Sequence, residues 1–188
     1  MPQKDEPIVK LNLGCGTDYK EGWVNIDNNS DNNITRLDLS WDLREPLPYE
    51  ENSVDYIFNE HFIEHLTVEE GQKFFSDCLR VLKPGGVLRT ATPDLEVIVD
   101  RYINVTIQDD PVIKRYHMEF IKTRGERINI EFRDWGHKWL YDWEELERRL
   151  REAGFVHIVR AQLKQSEHPA LLNLETRPES LLIAEVTK

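Results

Sequence analysis

The strongest restriction on the fold comes from a short apolar strand that ends in two glycines and leads almost at once into a second strand. Residues 7–13 (PIVKLNL) are followed by Gly14 and Gly16, and the second candidate strand, residues 23–27, ends at Asp27. Glycine lets a backbone approach a ligand where a Cβ would intrude. An acidic side chain at the end of the neighbouring strand can accept both hydroxyls of a ribose. The pattern predicts a nucleoside site, with a glycine turn beside a surface aspartate as the plainer alternative.

The same segment fits a dinucleotide site poorly. The G-x-G-x-x-G pattern would need a glycine at Tyr19, and no helix N-terminus follows promptly to hold a pyrophosphate. Only residues 17–22 separate the two strands, whereas a crossover helix usually takes about a dozen residues or more. We therefore expect the first crossover helix to be a single turn or absent. One face of the sheet would then be thinly covered, which favours a homodimer or a substrate groove on that side.

The rest of the chain alternates between strand and helix patterns. Further strands are predicted at residues 34–39, 53–59, 86–91, 155–163 and 181–187, and helices after Thr67, after Asp94, over residues 111–124 and from Asp142 to Gly154. Thr67 and Asp142 each have a glutamate three residues later, which is the capping-box spacing. The alternation predicts an α/β, mostly parallel sheet that binds ligands at the carboxyl ends of its strands. Without a linker or a repeat, residues 1–188 are expected to form a single domain.

The composition argues against nucleic acid and membranes as partners. The 24 Lys and Arg residues are outnumbered by 35 Asp and Glu, for a net charge of −11, and nucleic-acid binding depends on clustered cations. A local anion site stays open at a cationic stretch of five residues, namely Lys114, Arg115, Lys122, Arg124 and Arg127. The longest apolar run, residues 181–184, is far below the roughly 20 residues that span a bilayer. With two cysteines and no apolar leader, we expect no membrane contact and a cytoplasmic location.

Several segments of the sequence resemble a known family. They read LNLGCG, NID, WDLREPLPYEENSVDYIFNEHFIEHL and LRVLKPGGVLRTATPD, and the later HKWLYDWEELERRLREAGF is similar to the C-terminal segment of small bacterial and phage members. Together they look like a class I S-adenosylmethionine-dependent methyltransferase. The resemblance implies a single class I domain with a Rossmann-like sheet of seven strands, the last antiparallel, and S-adenosylmethionine as the cofactor.

The resemblance also implies cofactor contacts for individual residues. Gly14, Cys15 and Gly16 would line the methionine part, and Asp27 would hold the ribose with help from Asn28. For the adenine there are two competing pairs, Asp42 with Leu43 and Asp38 with Leu39. The residues implied near the sulfonium and the methyl group are Asn59, Glu60 and His61.

Methyl transfer to a hydroxyl needs a general base, whereas an amine needs one only to shed a proton. The candidate bases are His61, His65, Asp94 and His137. His137 is favoured because its neighbours in RDWGHKWLYD are both polar and aromatic. The alternatives are packing beside the cofactor for His61, a hydrogen bond in the turn for His65, and a helix cap for Asp94.

The acceptor is expected to bind mainly at residues 93–140. Four aromatic residues there or just beyond could stack on a sugar or pack beneath the last helix: Trp135, Trp139, Tyr141 and Trp143. Residues 59–62 (NEHF) lack the two prolines that mark enzymes methylating amino groups of bases or glutamine. We therefore expect in-line transfer to a small-molecule or saccharide hydroxyl. A protein or RNA acceptor and a non-catalytic nucleoside-binding regulatory domain are the alternatives. No compact motif of oxygen ligands predicts a metal site.

Overall fold

A computed structural model of the chain describes residues 7–28 and 34–188. The strands form a sheet and are β1 (Lys10–Leu13), β2 (Val24–Asp27), β3 (Leu39–Ser40), β4 (Val54–Glu60), β5 (Leu82–Thr92), β6 (His157–Arg160) and β7 (Leu182–Thr187). Their order in the sheet is β3-β2-β1-β4-β5-β7-β6. Strands β1 to β5 pair in parallel, and β7 runs antiparallel to both β5 and β6. The predicted Rossmann-like, seven-stranded, mostly parallel sheet with an antiparallel last strand is confirmed.

The helices lie between and beyond these strands. In the described ranges they are α1 (Val68–Val81), α2 (Leu95–Asn104), α3 (Pro111–Tyr116), α4 (Arg124–Arg133) and α5 (Trp143–Ala153). Helix α1 begins with a full capping box between Thr67 and Glu70, as predicted. Helix α5 begins at the predicted cap Asp142 and ends at Gly154, whose φ of 109° few other residues adopt. Among the described helices, none is long and apolar enough to cross a membrane.

The two faces of the sheet are covered differently. Helices α1 and α5 pack against each other and close the main core on one face. In the described chain no helix joins β1 to β2, so the predicted absence of the first crossover helix is confirmed. The opposite face carries a small cluster of Trp23, Phe58, Val87 and Leu171. Leu171 comes from the segment before β7, so a loop of this same chain covers the thin face. A homodimer stays a prediction.

Two predicted elements differ from the structure. The third strand, predicted at residues 34–39, is only Leu39–Ser40, because the Asp38 side chain accepts the Asn25 backbone N–H at 2.8 Å in place of a strand neighbour. Of the helix predicted over residues 111–124, only Pro111–Tyr116 is helical before α4 begins at Arg124. Helix α3 ends where His117 adopts a left-handed φ of 53°, and α4 begins at a new capping box.

Candidate active site

A cavity of about 930 Å³ opens at the carboxyl ends of the central parallel strands. Its near wall is the turn after β1 together with Asp27 at the end of β2, and its far wall includes α2, Trp135 and His137. Small-ligand pockets span roughly 300–1,000 Å³. The cavity therefore has room for a nucleoside and a small second ligand side by side.

The turn after β1 depends on its glycines. Gly14 and Gly16 have φ values of 67° and 50°, in the left-handed region that side chains disfavour. A Cβ on Gly14 would lie 2.5 Å from the Phe62 ring, whereas one on Gly16 would meet no atom within 4 Å. Gly14 thus permits close packing beneath the turn, and Gly16 faces open space in the cavity wall.

Asp27 lies where the sequence predicts a ribose contact. Its Oδ2 accepts the Gly16 N–H at 2.9 Å and its Oδ1 accepts the Asn28 N–H at 2.7 Å. Each carboxylate oxygen has two acceptor sites, so each keeps one for a ligand hydroxyl. Asn28 also lines the cavity, while residues 29–33, which follow it, lie outside the described part of the chain.

Cys15 lines the same wall but is not a nucleophile. Burial, and then the neighbouring charge of Asp27, raise the pKa of its thiol to about 12. The thiol therefore stays neutral, and Cys15 acts as a small apolar surface.

Neither of the two predicted adenine pairs lines the cavity. Asp42 is bound by the Arg44 guanidinium, which lowers its pKa to about 2, and Leu43 is in the main core. Asp38 is bound to the Asn25 backbone and side chain. From the same stretch of chain, Ile34 is the residue that reaches the cavity.

Of the residues predicted beside the methyl group, Asn59 lies away from the cavity and Glu60 lines it. Asn59 is fully buried away from the cavity lining, and its Oδ1 accepts the Thr90 hydroxyl at 2.6 Å. Glu60 lines the cavity, but its oxygens accept from Ser180 Oγ and from the backbone of Thr176 and Arg177. Burial would raise the pKa of Glu60, and these hydrogen bonds together lower it. Its carboxylate thus serves to fasten the chain before β7.

Both carboxylate oxygens of Asp94 accept hydrogen bonds from the chain itself. The side chain is 2% exposed, and its Oδ1 accepts the Glu96 N–H at 2.9 Å to cap α2. Its Oδ2 accepts from Arg160 at 2.9 Å. These contacts fit the helix-cap alternative, and a role for Asp94 as a base stays a prediction.

Three histidines lie in the far wall of the cavity, namely His61, His65 and His137. We call these three side chains the imidazole wall. The His65 and His137 ring centroids are 5.1 Å apart. Burial lowers the pKa of all three rings, to about 3 for His61. All three are therefore neutral near pH 7, and His61 is too weakly basic to accept a proton there.

The tautomer of His137 follows from one contact. Its Nδ1 lies 2.6 Å from the carbonyl oxygen of Glu131, which can only accept a hydrogen bond. Nδ1 therefore carries the hydrogen, and Nε2 keeps its lone pair. Of the predicted bases, His137 is the one that combines a defined lone pair with a place on the cavity wall.

The sequence analysis missed Glu64 as a site residue. Its side chain is fully buried behind the imidazole wall, and burial raises its pKa to about 7. The available signal in the sequence was a glutamate between two histidines in NEHFIEHL. Charged side chains are rarely buried without a partner, so a buried glutamate there indicates a functional contact. The analysis also missed Tyr116, Arg177 and Glu179, which line the cavity from α3 and from the chain before β7.

The predicted acceptor region is only partly at the cavity. Of the four aromatic residues, Trp135 lines it, whereas Tyr141 is buried and Trp143 packs against the main core. The five cations of the basic stretch contact oxygens of the chain itself, namely those of Asp109, Glu179, Glu119, Tyr102, Ile103, Asp110 and Glu131. The stretch therefore presents no open anion site.

Comparisons with known proteins agree with this geometry. Residues 15–90 match the model of a family described as a methyltransferase domain. A probable S-adenosylmethionine-dependent methyltransferase of Mycolicibacterium smegmatis is 41% identical over 59 residues, which are 31% of this chain and 22% of that protein. The match thus spans about a fifth of the length of this relative.

Solved structures share the fold at low sequence identity. A SAM-dependent methyltransferase from Archaeoglobus fulgidus aligns over 96% of this chain and 86% of its own, with a TM-score of 0.60 and 17% identity. A possible histamine N-methyltransferase from Thermotoga maritima aligns over 96% and 81%, with a TM-score of 0.59 and 20% identity. Phosphoethanolamine N-methyltransferase 2 of Haemonchus contortus, in complex with S-adenosyl-L-methionine, aligns over 87% and 36%, with a TM-score of 0.53 and 18% identity.

The strand order, the glycine turn and the aspartate at the end of β2 are those of a Rossmann-like fold. The match of residues 15–90 to a methyltransferase domain and the similarity to a methyltransferase of M. smegmatis agree with the class I S-adenosylmethionine-dependent methyltransferase predicted from the sequence. The same two matches support S-adenosylmethionine as the cofactor.

Proposed function

We propose that this chain transfers a methyl group from S-adenosylmethionine to a hydroxyl of a small molecule or saccharide. One observation carries the proposal. A single cavity has the glycine turn and Asp27 on one wall and neutral imidazoles on the other. The first wall suits a nucleoside, and the second suits a group that must lose a proton.

When bound, S-adenosylmethionine supplies a methyl group that an acceptor lone pair attacks as the S–C electron pair returns to sulfur. The residues proposed to hold it are Gly14, Cys15, Gly16, Asp27 and Asn28. The free acceptor sites of Asp27 would take the ribose hydroxyls, and the bare Cα of Gly16 lets the ligand approach the backbone. These residues bind and orient, and proximity alone supplies much of the rate of such a transfer.

The imidazole wall supports a hydroxyl acceptor. An oxygen nucleophile must shed its proton, and a neutral ring facing the cavity helps that step. His137 lines the cavity and keeps its lone pair on Nε2, since its Nδ1 is held by the Glu131 carbonyl. We propose His137 as the residue that contacts the acceptor hydroxyl.

The surroundings support a small or saccharide acceptor over a polyanion. Trp135 is 40% exposed, lines the cavity and stacks edge-on beside His137 at 5.8 Å. An exposed indole beside a polar group is a typical platform for a sugar or an aromatic acceptor. Arg115 and Arg127 of the basic stretch are paired with carboxylates, and the chain carries a net charge of −11; both observations argue against an RNA backbone as the acceptor.

Calorimetric titration with S-adenosylmethionine and S-adenosylhomocysteine tests the cofactor site. Asp27→Asn should weaken binding about 10- to 100-fold, because one hydrogen bond to a charged group contributes roughly 1.5–3 kcal/mol. Asp42→Asn is the matched control, since this aspartate contacts Arg44 outside the cavity, and it should bind as the wild type does. No binding at millimolar ligand, or equal effects of both variants, would contradict the site.

Transfer of labelled methyl groups into fractionated cell extract tests the acceptor. We expect the label in small molecules or saccharides, and loss of turnover in His137→Gln with cofactor binding retained. Label in protein or RNA would overturn the proposed acceptor. Cofactor binding with label in no fraction would favour the non-catalytic regulatory role.

A further inference from the structure

Three side chains of the far wall bring donor atoms together. Glu64, His65 and His137 each offer one ligand atom, and these atoms all lie within 4.8 Å of one another. Two imidazole nitrogens and one carboxylate oxygen are a common donor set for first-row transition metals. Ligand atoms around one zinc ion lie roughly 3.4 Å apart, so small side-chain rotations would close the site.

Of the three side chains, Glu64 has the surroundings that a bound cation would stabilise most. Its side chain is fully buried, and its Oε2 accepts the Thr92 hydroxyl at 2.9 Å. Its Oε1 has no hydrogen-bond partner among the described residues, and His61 Nδ1 at 3.3 Å is not oriented to donate. An unpaired buried carboxylate oxygen is costly, and a bound cation would remove that cost.

His137 is already held as ligating histidines usually are. Metal-binding imidazoles typically donate their other ring N–H to a backbone carbonyl or a carboxylate. His137 donates Nδ1–H to the Glu131 carbonyl at 2.6 Å. Its Nε2 is therefore available for a metal ion, and the His65 ring lies beside it with the ring centroids 5.1 Å apart.

The backbone brings the three residues together. The carbonyl oxygen of Glu64 accepts from Lys138 N at 2.7 Å and Trp139 N at 3.2 Å. These bonds fasten the Ile63–His65 turn to the segment that carries His137. The position of the cluster is therefore built into the fold and does not depend on flexible side chains finding one another.

We propose that Glu64, His65 and His137 bind one divalent transition-metal ion of the Zn²⁺ or Fe²⁺ type, with open coordination positions towards the cavity. His65 and His137 both line the cavity, so a further ligand of the ion would come from there. Imidazole and carboxylate ligands suit such ions better than Mg²⁺, which prefers oxygen.

The ion would deepen the proposed function, and this role rests on that function. A hydroxyl coordinated to a divalent ion loses its proton more readily, and the proton would pass to water. In the loaded protein His137 would be a ligand, and the ion would activate the acceptor oxygen. Metal binding itself does not depend on the identity of the acceptor.

Titration of the untagged, chelator-treated protein with Co²⁺ and Zn²⁺ tests the site. We expect one equivalent of Co²⁺ to bind with visible d–d absorption, and Zn²⁺ to displace it. Glu64→Gln and His137→Gln should each weaken binding at least tenfold. His117→Gln is the control, because that ring is 86% exposed and remote from the cluster, and it should bind Co²⁺ as the wild type does.

The outcomes separate the site from its role. No stoichiometric Co²⁺ binding, or binding unchanged in both site variants, would overturn the metal site. If Glu64→Gln does not fold, His137→Gln decides the matter, with S-adenosylhomocysteine affinity reporting the intact cofactor wall. Full methyl transfer in chelator-treated protein would leave the proposed function standing and overturn the role of the ion. Metal binding without transfer to any hydroxyl would overturn the proposed function and the role of the ion in it, and would leave the metal site standing.

Discussion

Glu60 shows how one carboxylate can lie at a site and still serve the fold. The resemblance implies a cofactor contact, and the side chain does line the cavity. Its two oxygens nevertheless accept from Thr176, Arg177 and Ser180. Sequence spacing predicts where β4 ends, but it cannot show which donors arrive from more than a hundred residues away.

Glu60→Gln should destabilise the domain at pH 7 by about 1–3 kcal/mol, because an amide N–H₂ would then face backbone N–H donors. The native pKa of Glu60 is lowered from about 4.5. Its contribution is therefore complete above that value and is lost as the pH falls through the native pKa. Urea unfolding from pH 7 to pH 3 should show the difference between wild type and variant shrinking with acid. The exposed Glu51→Gln is the control, and a difference independent of pH would contradict the assignment.

Among the larger elements, the loop before β7 replaces the missing first crossover helix. Arg89 on β5 is fully buried and fastens this loop through the Glu175 carboxylate and the carbonyls of Gln162 and Gln165. Its remaining partner is Glu185 on β7. A single guanidinium, with five donors in a fixed fork, thus attaches the loop to the sheet.

Replacing Arg89 by Met should cost about 3–5 kcal/mol, because Glu175 would be left as a buried charge without its cation. Urea denaturation measures the loss, and limited proteolysis should cut residues 161–181 faster than in the wild type. Arg151→Met is the control, since its pair with Glu147 is half exposed and such pairs contribute roughly 0–1 kcal/mol. Equal losses in the two variants would refute the anchoring role.

Helix α4 shows what a closer reading of local signals could have recovered. Thr123 and Glu126 form a complete capping box in the structure, and the T-x-x-E pattern is visible in the sequence. The left-handed His117 that ends α3 has no comparable signal. Helix starts are encoded by local hydrogen-bonding side chains, whereas this stop depends on how residues 118–121 pack beneath α3.

For the molecule as a whole, cofactor binding should appear as global stability, because the cavity is built from several strand ends at once. At 100 times its dissociation constant, a ligand that binds only the folded state adds about 2.7 kcal/mol. For a domain of this size, each kcal/mol raises Tm by roughly 2–4 °C. Calorimetric melting with S-adenosylhomocysteine should show such a rise in wild type and little in Asp27→Asn at the same concentration. A rise with unrelated nucleosides alone would count against specific binding.

The cavity wall formed by the turn after β1 and by Asp27 was predictable from short stretches of sequence. Gly14, Gly16 and Asp27 lie within two neighbouring parallel strands, so their spacing along the chain already sets their places in space. The imidazole wall was not predictable in this way, because His65 and His137 are 72 positions apart. They meet only because the Glu64 carbonyl binds the backbone of Lys138 and Trp139. Local geometry follows from local sequence, whereas long-range hydrogen bonds and burial decide which carboxylates hold the fold and which face the cavity.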